Sequence, residues 1–270
     1  MTIWFSAEAF ERQRVELGVT WGRPLRLLEQ TDSTNDLALD AVAGEAKTGI
    51  VWLAHQQLRG RGRRGGTWLA RPGESLATSV LVRVPTPHEL GAGFSLLAGL
   101  AVRALVARRL PSATVTVKWP NDVMVDGRKC AGILVESRLG EAGRSLGIVI
   151  GVGINLSVRD FPPELPDATS LALAGAEPSS LAPERLLAEL LAELETRTRR
   201  YLPHGLSRLL PELEQHDYLR GRTLRIAGIE GTAAGFDERG NLGVRTADGE
   251  LVWVQSGHVE LTPVRTAAGT

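Results

Sequence analysis

The spacing of hydrophobic and polar positions divides most of this chain into helices and strands. Ala7–Leu17 has helical composition, with Gly18 as its stop. Leu25–Leu28 reads as a short strand. Thr31-Asp32-Ser33-Thr34-Asn35-Asp36, ahead of Leu37-Ala38-Leu39, places a helix N-cap. Ile50–Ala54 is an apolar strand, Pro72-Gly73 a turn, and Ser75–Val84 an alternating strand. Glu89–Arg109 carries apolar residues at helical spacing, and Gly91, Gly93 and Gly99 imply close packing on a sheet. Val115–Trp119 runs into Pro120-Asn121-Asp122, Val123–Val125 resumes, Asp126-Gly127 turns, and Lys129–Glu136 returns as a hairpin. Ser145–Leu156 is the most apolar strand, and its glycines at 151 and 153 imply a bulge or a close backbone approach. Phe161–Pro166 is a proline-rich loop. Pro183–Tyr201 is an amphipathic helix with Leu187, Leu190, Leu191 and Leu194 on one face, and His204–His216 predicts another helix.

After about Asp217 the rhythm changes. Short alternating segments (Thr223–Ala227, Gly231–Phe236, Leu242–Thr246, Leu251–Val254) are separated by turns such as Asp248-Gly249-Glu250. Such spacing predicts a small β-barrel or sandwich, so the chain divides into residues 1–217 and 218–270.

With 270 residues the chain can bury a sizeable core, and its 31 basic and 31 acidic residues cancel. Any positive field is therefore local. Cys130 is the only cysteine, which excludes an internal disulfide and fits a reducing compartment. Its apolar neighbours make it a small buried side chain rather than a nucleophile. The N-terminus lacks a signal-peptide pattern, and no run is long enough to span a bilayer. A cytoplasmic protein without a membrane partner is expected.

The local charge lies in Gln57–Trp68. There Arg59, Arg61, Arg63 and Arg64 alternate with Gly60, Gly62, Gly65 and Gly66. Guanidinium groups suit bidentate contact with carboxylate or phosphate, and glycine lets backbone approach a ligand. A mobile anion-binding lid is one reading. A solvated basic loop and an RNA-binding arginine-glycine segment are the others. Lys118 and Lys129 sit near the ends of two paired strands, where lysines are ordinarily solvated. Asn155, polar at the end of a buried strand, either satisfies the fold or faces a ligand.

Five stretches decide among these readings. They are Asp32-Ser33-Thr34-Asn35; Gln57-x-x-Gly60-Arg61-Gly62-Arg63-Arg64-Gly65-x-x-Trp68; Lys118-Trp119-Pro120-Asn121-Asp122; Lys129-x-Ala131-Gly132-Ile133-Leu134-Val135-Glu136; and Gly151-Val152-Gly153-Ile154-Asn155-Leu156. In this order, with a compact β tail behind them, the chain resembles biotin protein ligases. The resemblance implies an α+β fold: a catalytic domain similar to class II aminoacyl-tRNA synthetases, with a mixed sheet flanked by helices, and a C-terminal barrel of the Src-homology-3 kind. It implies that biotin's carboxylate attacks the α-phosphate of ATP to give biotinyl-5'-AMP. A lysine of a biotin carboxyl carrier protein domain then takes the biotinyl group.

The same resemblance implies roles residue by residue. Lys129, Arg63, Arg61 and Lys118 would supply positive charge to the reacting anions. Ser33, Thr34, Asn35, Gln57, Gly60, Arg61, Arg63, Lys129 and Gly132 would hold biotin. Arg63, Arg64, Trp68, Lys118, Asn121, Lys129 and Asn155 would hold ATP, and Asp122 would help position Mg²⁺. No tightly bound cofactor and no covalent nucleophile is implied. Two residues depart from the family pattern: Arg59 stands where alanine is common, and Gly66 where arginine is common. About thirty residues precede the first motif, too few for the N-terminal DNA-binding domain of many bacterial members, so no DNA partner is expected. The exposed side of the sheet could pair into a homodimer, though no residue pattern compels it.

Overall fold

A computed structural model of the chain describes residues 4–44, 46–85, 93–140 and 145–262. Seven strands form one mixed sheet: β1 (Leu25–Thr31), β2 (Val51–Gln57), β3 (Ser75–Pro85), β4 (Val115–Lys118), β5 (Asp122–Val125), β6 (Arg128–Leu139) and β7 (Ser145–Asn155). Their spatial order is β1-β2-β3-β7-β6-β5-β4, with β1 and β2 parallel and the other pairs antiparallel. Among the described residues five α-helices accompany them: α1 (Ala7–Glu16), α2 (Thr34–Asp40), α3 (Gly93–Arg109), α4 (Pro183–His204) and α5 (Leu210–Gln215).

The side-chain alternation of β7, at the middle of the sheet, organises both faces. Ile148, Ile150, Val152 and Ile154 join the main core with α3 and α4, including Leu97, Val106, Leu187 and Leu191. The intervening positions Gly147, Val149, Gly151, Gly153 and Asn155 face the other way. A side chain at Gly147 would overlap Val42, one at Gly151 would overlap Asn35, and one at Gly153 would overlap the Trp68 indole. This glycine face thus forms a trough that accepts α2, Asn35 and Trp68. The register of β7 with β3 is regular from Ser75↔Asn155 to Pro85↔Ser145, so its glycines serve close approach rather than a bulge. A smaller cluster of Ala38, Leu39, Trp52, Leu81 and Val149 secures α2 there.

A second sheet is antiparallel, with β8 (Thr223–Ile226), β9 (Ile229–Phe236), β10 (Leu242–Arg245), β11 (Leu251–Val254) and β12 (Glu260–Leu261) in the order β11-β10-β9-β8-β12. Among the described residues its two edge strands are not hydrogen-bonded to each other. The segment leading into it borders β4: Val117 donates to His216 O (2.8 Å), and Tyr218 donates back to Val117 O (3.0 Å). Trp119, almost fully buried, donates Nε1 to Gly240 O at 2.9 Å and so ties the first sheet to a turn of the second.

Several boundaries differ from the sequence reading. β1 continues to Thr31, because parallel pairing with β2 carries it past its apolar residues. The helix expected over His204–His216 is only α5, since α4 itself runs to His204 and Gly205, at φ 58°, breaks the chain before it. Residues 86–92, including the predicted start of the helix at Glu89, lie outside the described residues.

Candidate functional site

A cavity of about 270 Å³ opens on the glycine face of the sheet, between α2, the arginine-glycine segment and the β5–β6 hairpin. Ser33 occupies the N-cap position of α2, but its hydroxyl makes no capping bond. Gln57, at the end of β2, caps instead: its Oε1 accepts from the Thr34 amide (2.8 Å) and lies 3.1 Å from the Thr34 hydroxyl. Ser33 Oγ and Gln57 Nε2 are thereby left to the cavity they line. Asn35 is committed to the fold. Its Nδ2 donates to Leu134 O (3.2 Å) and Glu136 Oε2 (2.8 Å), and its Oδ1 accepts from Ser79 Oγ (2.6 Å).

The arginine-glycine segment is a small hairpin. Trp68 N donates to Gly60 O (2.8 Å), Arg61 pairs with Thr67, Gly62 N donates to Gly66 O (2.6 Å), and a 3₁₀ turn over Arg63–Gly65 forms the tip. Arg64 at that tip is left-handed, with φ 54°, and lines the outer cleft rather than the cavity. Arg63, half-buried, lines both. Burial, and then the neighbouring Arg64 charge, lower its pKa from the usual arginine value, with Asp122 acting in the opposite direction. Burial also opposes the charge of Arg61, but bonds to Glu136 and the fields of Glu136 and Asp36 outweigh it and raise its pKa.

Lys129 and Asp122 enter from β6 and β5 and form an ion pair of 2.7 Å. Asn121, locked by Nδ2 to Ile133 O at 2.9 Å, and Gly132 complete this wall. Lys118, the register partner of Asp122 across β4 and β5, does not line the cavity; its Nζ lies 5.9 Å from the centre of the Tyr218 ring. Asp122 is already matched to an ammonium, which would repel a metal ion, and no group of three or more His, Cys, Asp or Glu suited to a metal occurs among the described residues.

Trp68 and Lys129 stand between this cavity and a second of about 80 Å³, lined chiefly by Leu69, Val158, Phe161, Pro162, Leu165 and Asn155. The indole Nε1 is buried without a partner. Asn155 Nδ2 donates to Thr169 O at 3.0 Å, so that residue both braces the fold and reaches the cavity wall. Sequence reasoning missed Ser79, the Phe161–Leu165 wall and His258, which reaches the larger cavity from the second sheet's side. Only the apolar residues within the proline-rich loop hinted at any of them. Cys130 is buried, and burial pushes its thiol up to about 12, so it remains an inert core residue.

No helix among the described residues is long and apolar enough to cross a membrane. A sequence model of the Biotin/lipoate A/B protein ligase family matches residues 27–155, which supply the lining of the larger cavity apart from His258 and part of the smaller one's. The biotin–[acetyl-CoA-carboxylase] ligase of Mycobacterium tuberculosis is 37% identical over 265 residues, covering 92% of each chain. The Escherichia coli bifunctional ligase/repressor BirA is 35% identical over 230 residues, covering 84% of this chain and 70% of its own. The fold is similar to that of the Aquifex aeolicus biotin protein ligase in complex with biotin and ATP (TM-score 0.73, 25% identity, 88% of this chain and 98% of that one). Fold and sequence relatives agree, and the chain belongs to the biotin protein ligases of the Biotin/lipoate A/B protein ligase family.

Proposed function

We propose that this chain activates biotin with ATP as biotinyl-5'-AMP and transfers the biotinyl group to a lysine of a biotin carboxyl carrier protein domain. The observation that carries the reading is the meeting of Ser33, Gln57, Arg63 and Lys129 in one cavity, with Trp68 dividing it from a second, apolar one. The larger cavity offers hydrogen-bonding groups at one end for biotin's ring system and cations at the other for its carboxylate. The smaller suits a planar base against Trp68 and Phe161. Asn155, on the wall of the smaller cavity, would contact the nucleotide, whereas Asn121 lines the larger cavity.

In the first step a carboxylate oxygen attacks the α-phosphorus, and the bond to the bridging oxygen breaks to release pyrophosphate. Two anions must approach, so Lys129 and Arg63 offset their repulsion and the charge of the transition state. In the second step the acceptor amine attacks the acyl carbon, and AMP leaves with the bonding electrons. Positioning and electrostatics supply the rate, since the substrates carry the reacting groups. The mixed anhydride hydrolyses readily, and the hairpin over the cavity shields it from water. Lys118 lies outside both cavities and takes no part in this reading of the reaction.

We further read residues 1–217 as a catalytic domain of the class II synthetase kind and 218–270 as a small module of the Src-homology-3 kind. Pairing of the exposed edge β1 would account for a homodimer. The test is mass spectrometry of a carrier domain incubated with the protein, biotin and ATP. One biotinyl group on one lysine is expected, and an unmodified carrier that a known ligase does modify would contradict the reading.

A further inference from the structure

The two cavity-facing arginines of the hairpin are held in opposite ways. Arg61 grips Glu136 with a bidentate fork, Nη1 to Oε1 at 2.8 Å and Nη2 to Oε2 at 2.7 Å. Its Nη2 also donates to Asp36 Oδ1 at 2.6 Å. Glu136 is in turn fixed by Asn35, itself a buried strut between Ser79 and Leu134. Arg63 has no carboxylate within ion-pair distance among the described residues, and burial and Arg64 already disfavour its charge. Two carboxylates around one guanidinium leave the Arg61 cluster net negative, so it adds little attraction for an anion in the cavity. The unmatched Arg63 gains most from one.

We infer that Arg61 is a positioning residue rather than a contact to the reacting anions. Together with Glu136 and Asp36 it forms a latch that holds the hairpin over the cavity and so aims Arg63. This rests on the ligase reading for what the hairpin covers; the latch itself rests on the forked geometry. Planar fork-to-carboxylate pairing fixes orientation as well as distance, which a glycine-rich strand cannot do by itself. The partners are only partly buried, with side-chain exposures of 39% for Arg61, 24% for Glu136 and 50% for Asp36. Such a latch is weak enough to release for substrate entry and product exit.

The test compares Arg61→Ala, Glu136→Gln and the double variant. Glutamine keeps an oxygen for Asn35 but turns no carboxylate toward Arg61. Two rates are read: tryptic cleavage after Arg63 and Arg64, and loss of preformed biotinyl-5'-AMP to hydroxylamine. Each single variant is expected to raise both by about tenfold, and the double variant no further, because the latch fails as a unit. Arg61→Lys, with one point of contact instead of two, should fall between. The inference is overturned if Arg61→Ala loses biotin-dependent pyrophosphate exchange about 100-fold while Glu136→Gln does not. It is also overturned if the two effects multiply, or if neither variant changes tryptic cleavage. That cleavage needs no ligand, so it judges the latch even if the wild-type protein supports no exchange, a result that would remove the ligase reading instead.

Discussion

Lys129 and Asp122 face each other across the β5–β6 hairpin, with Nζ 2.7 Å from Oδ1. The pair fixes a cation at the cavity wall where a carboxylate and a phosphate would have to meet. Replacing Lys129 with methionine keeps the length of the side chain and removes the charge. Biotinyl-5'-AMP formation is then expected to fall by at least about 100-fold, the scale of losing one transition-state donor. Circular dichroism should remain that of the parent. Near-parental adenylate formation by this variant, followed by chromatography, would refute the role.

Trp68 lies against Gly153 so closely that a methyl group there would overlap the indole. Gly153→Ala is expected to displace the ring from the partition between the two cavities. A base stacked on an aromatic side chain is worth about 1–3 kcal/mol, so the KM for ATP should rise by about tenfold or more, with a smaller effect on the KM for biotin. Steady-state exchange assays varying each substrate in turn would check this; an unaltered ATP dependence would remove Trp68 from the nucleotide site.

Much of this was legible in the sequence, for identifiable reasons. The apolar run Ser145–Leu156 marked a buried strand whose Gly151 and Gly153 allow a close backbone approach, and the Asp126-Gly127 turn marked the β5–β6 hairpin that carries Lys129. What the pattern hid were choices among hydrogen-bond partners distant in sequence. Ser33 sits where a cap belongs, yet Gln57, more than twenty residues on, does the capping. Asn35 lines the cavity as the sequence suggests, but its amide is also bonded to Ser79, Leu134 and Glu136, which no local pattern shows. Lys118 and Lys129 read alike as strand-end cations, and only the sheet's geometry directs one to Tyr218 and the other into the cavity.

Trp119 ties the first sheet to the β9–β10 turn, its Nε1 donating to Gly240 O at 2.9 Å. Trp119→Phe keeps most of the apolar bulk and leaves that carbonyl without its donor. A loss of about 1–3 kcal/mol is expected, measured by urea unfolding. Unchanged stability would mean that the contact contributes nothing to joining the two sheets.

Asp217 predicts a pH dependence of stability. Its Oδ1 accepts from the Leu219 amide at 2.8 Å while Oδ2 is buried without a partner. Burial above all pushes its pKa up to about 6, against the smaller opposing effects of the Leu219 bond and Arg220. The folded chain therefore holds this proton more tightly than the unfolded chain. The contribution is fully present below about pH 4, the usual aspartate value, and is lost as pH rises through about 6. Asp217→Asn keeps the Oδ1 acceptor and abolishes the titration. It is expected to stabilise the protein by about 1–3 kcal/mol at pH 8 and to change it little at pH 4. A difference independent of pH would exclude Asp217 as the source.

The most direct measurement of the central claim is exchange of labelled pyrophosphate into ATP, with biotin, lipoate or neither added. Exchange that appears with biotin and stays at background with lipoate is expected of a cavity in which Ser33 and Gln57 face a polar ring and Lys129 and Arg63 face a carboxylate. Exchange driven by lipoate, or label incorporated equally with no acid present, would contradict it.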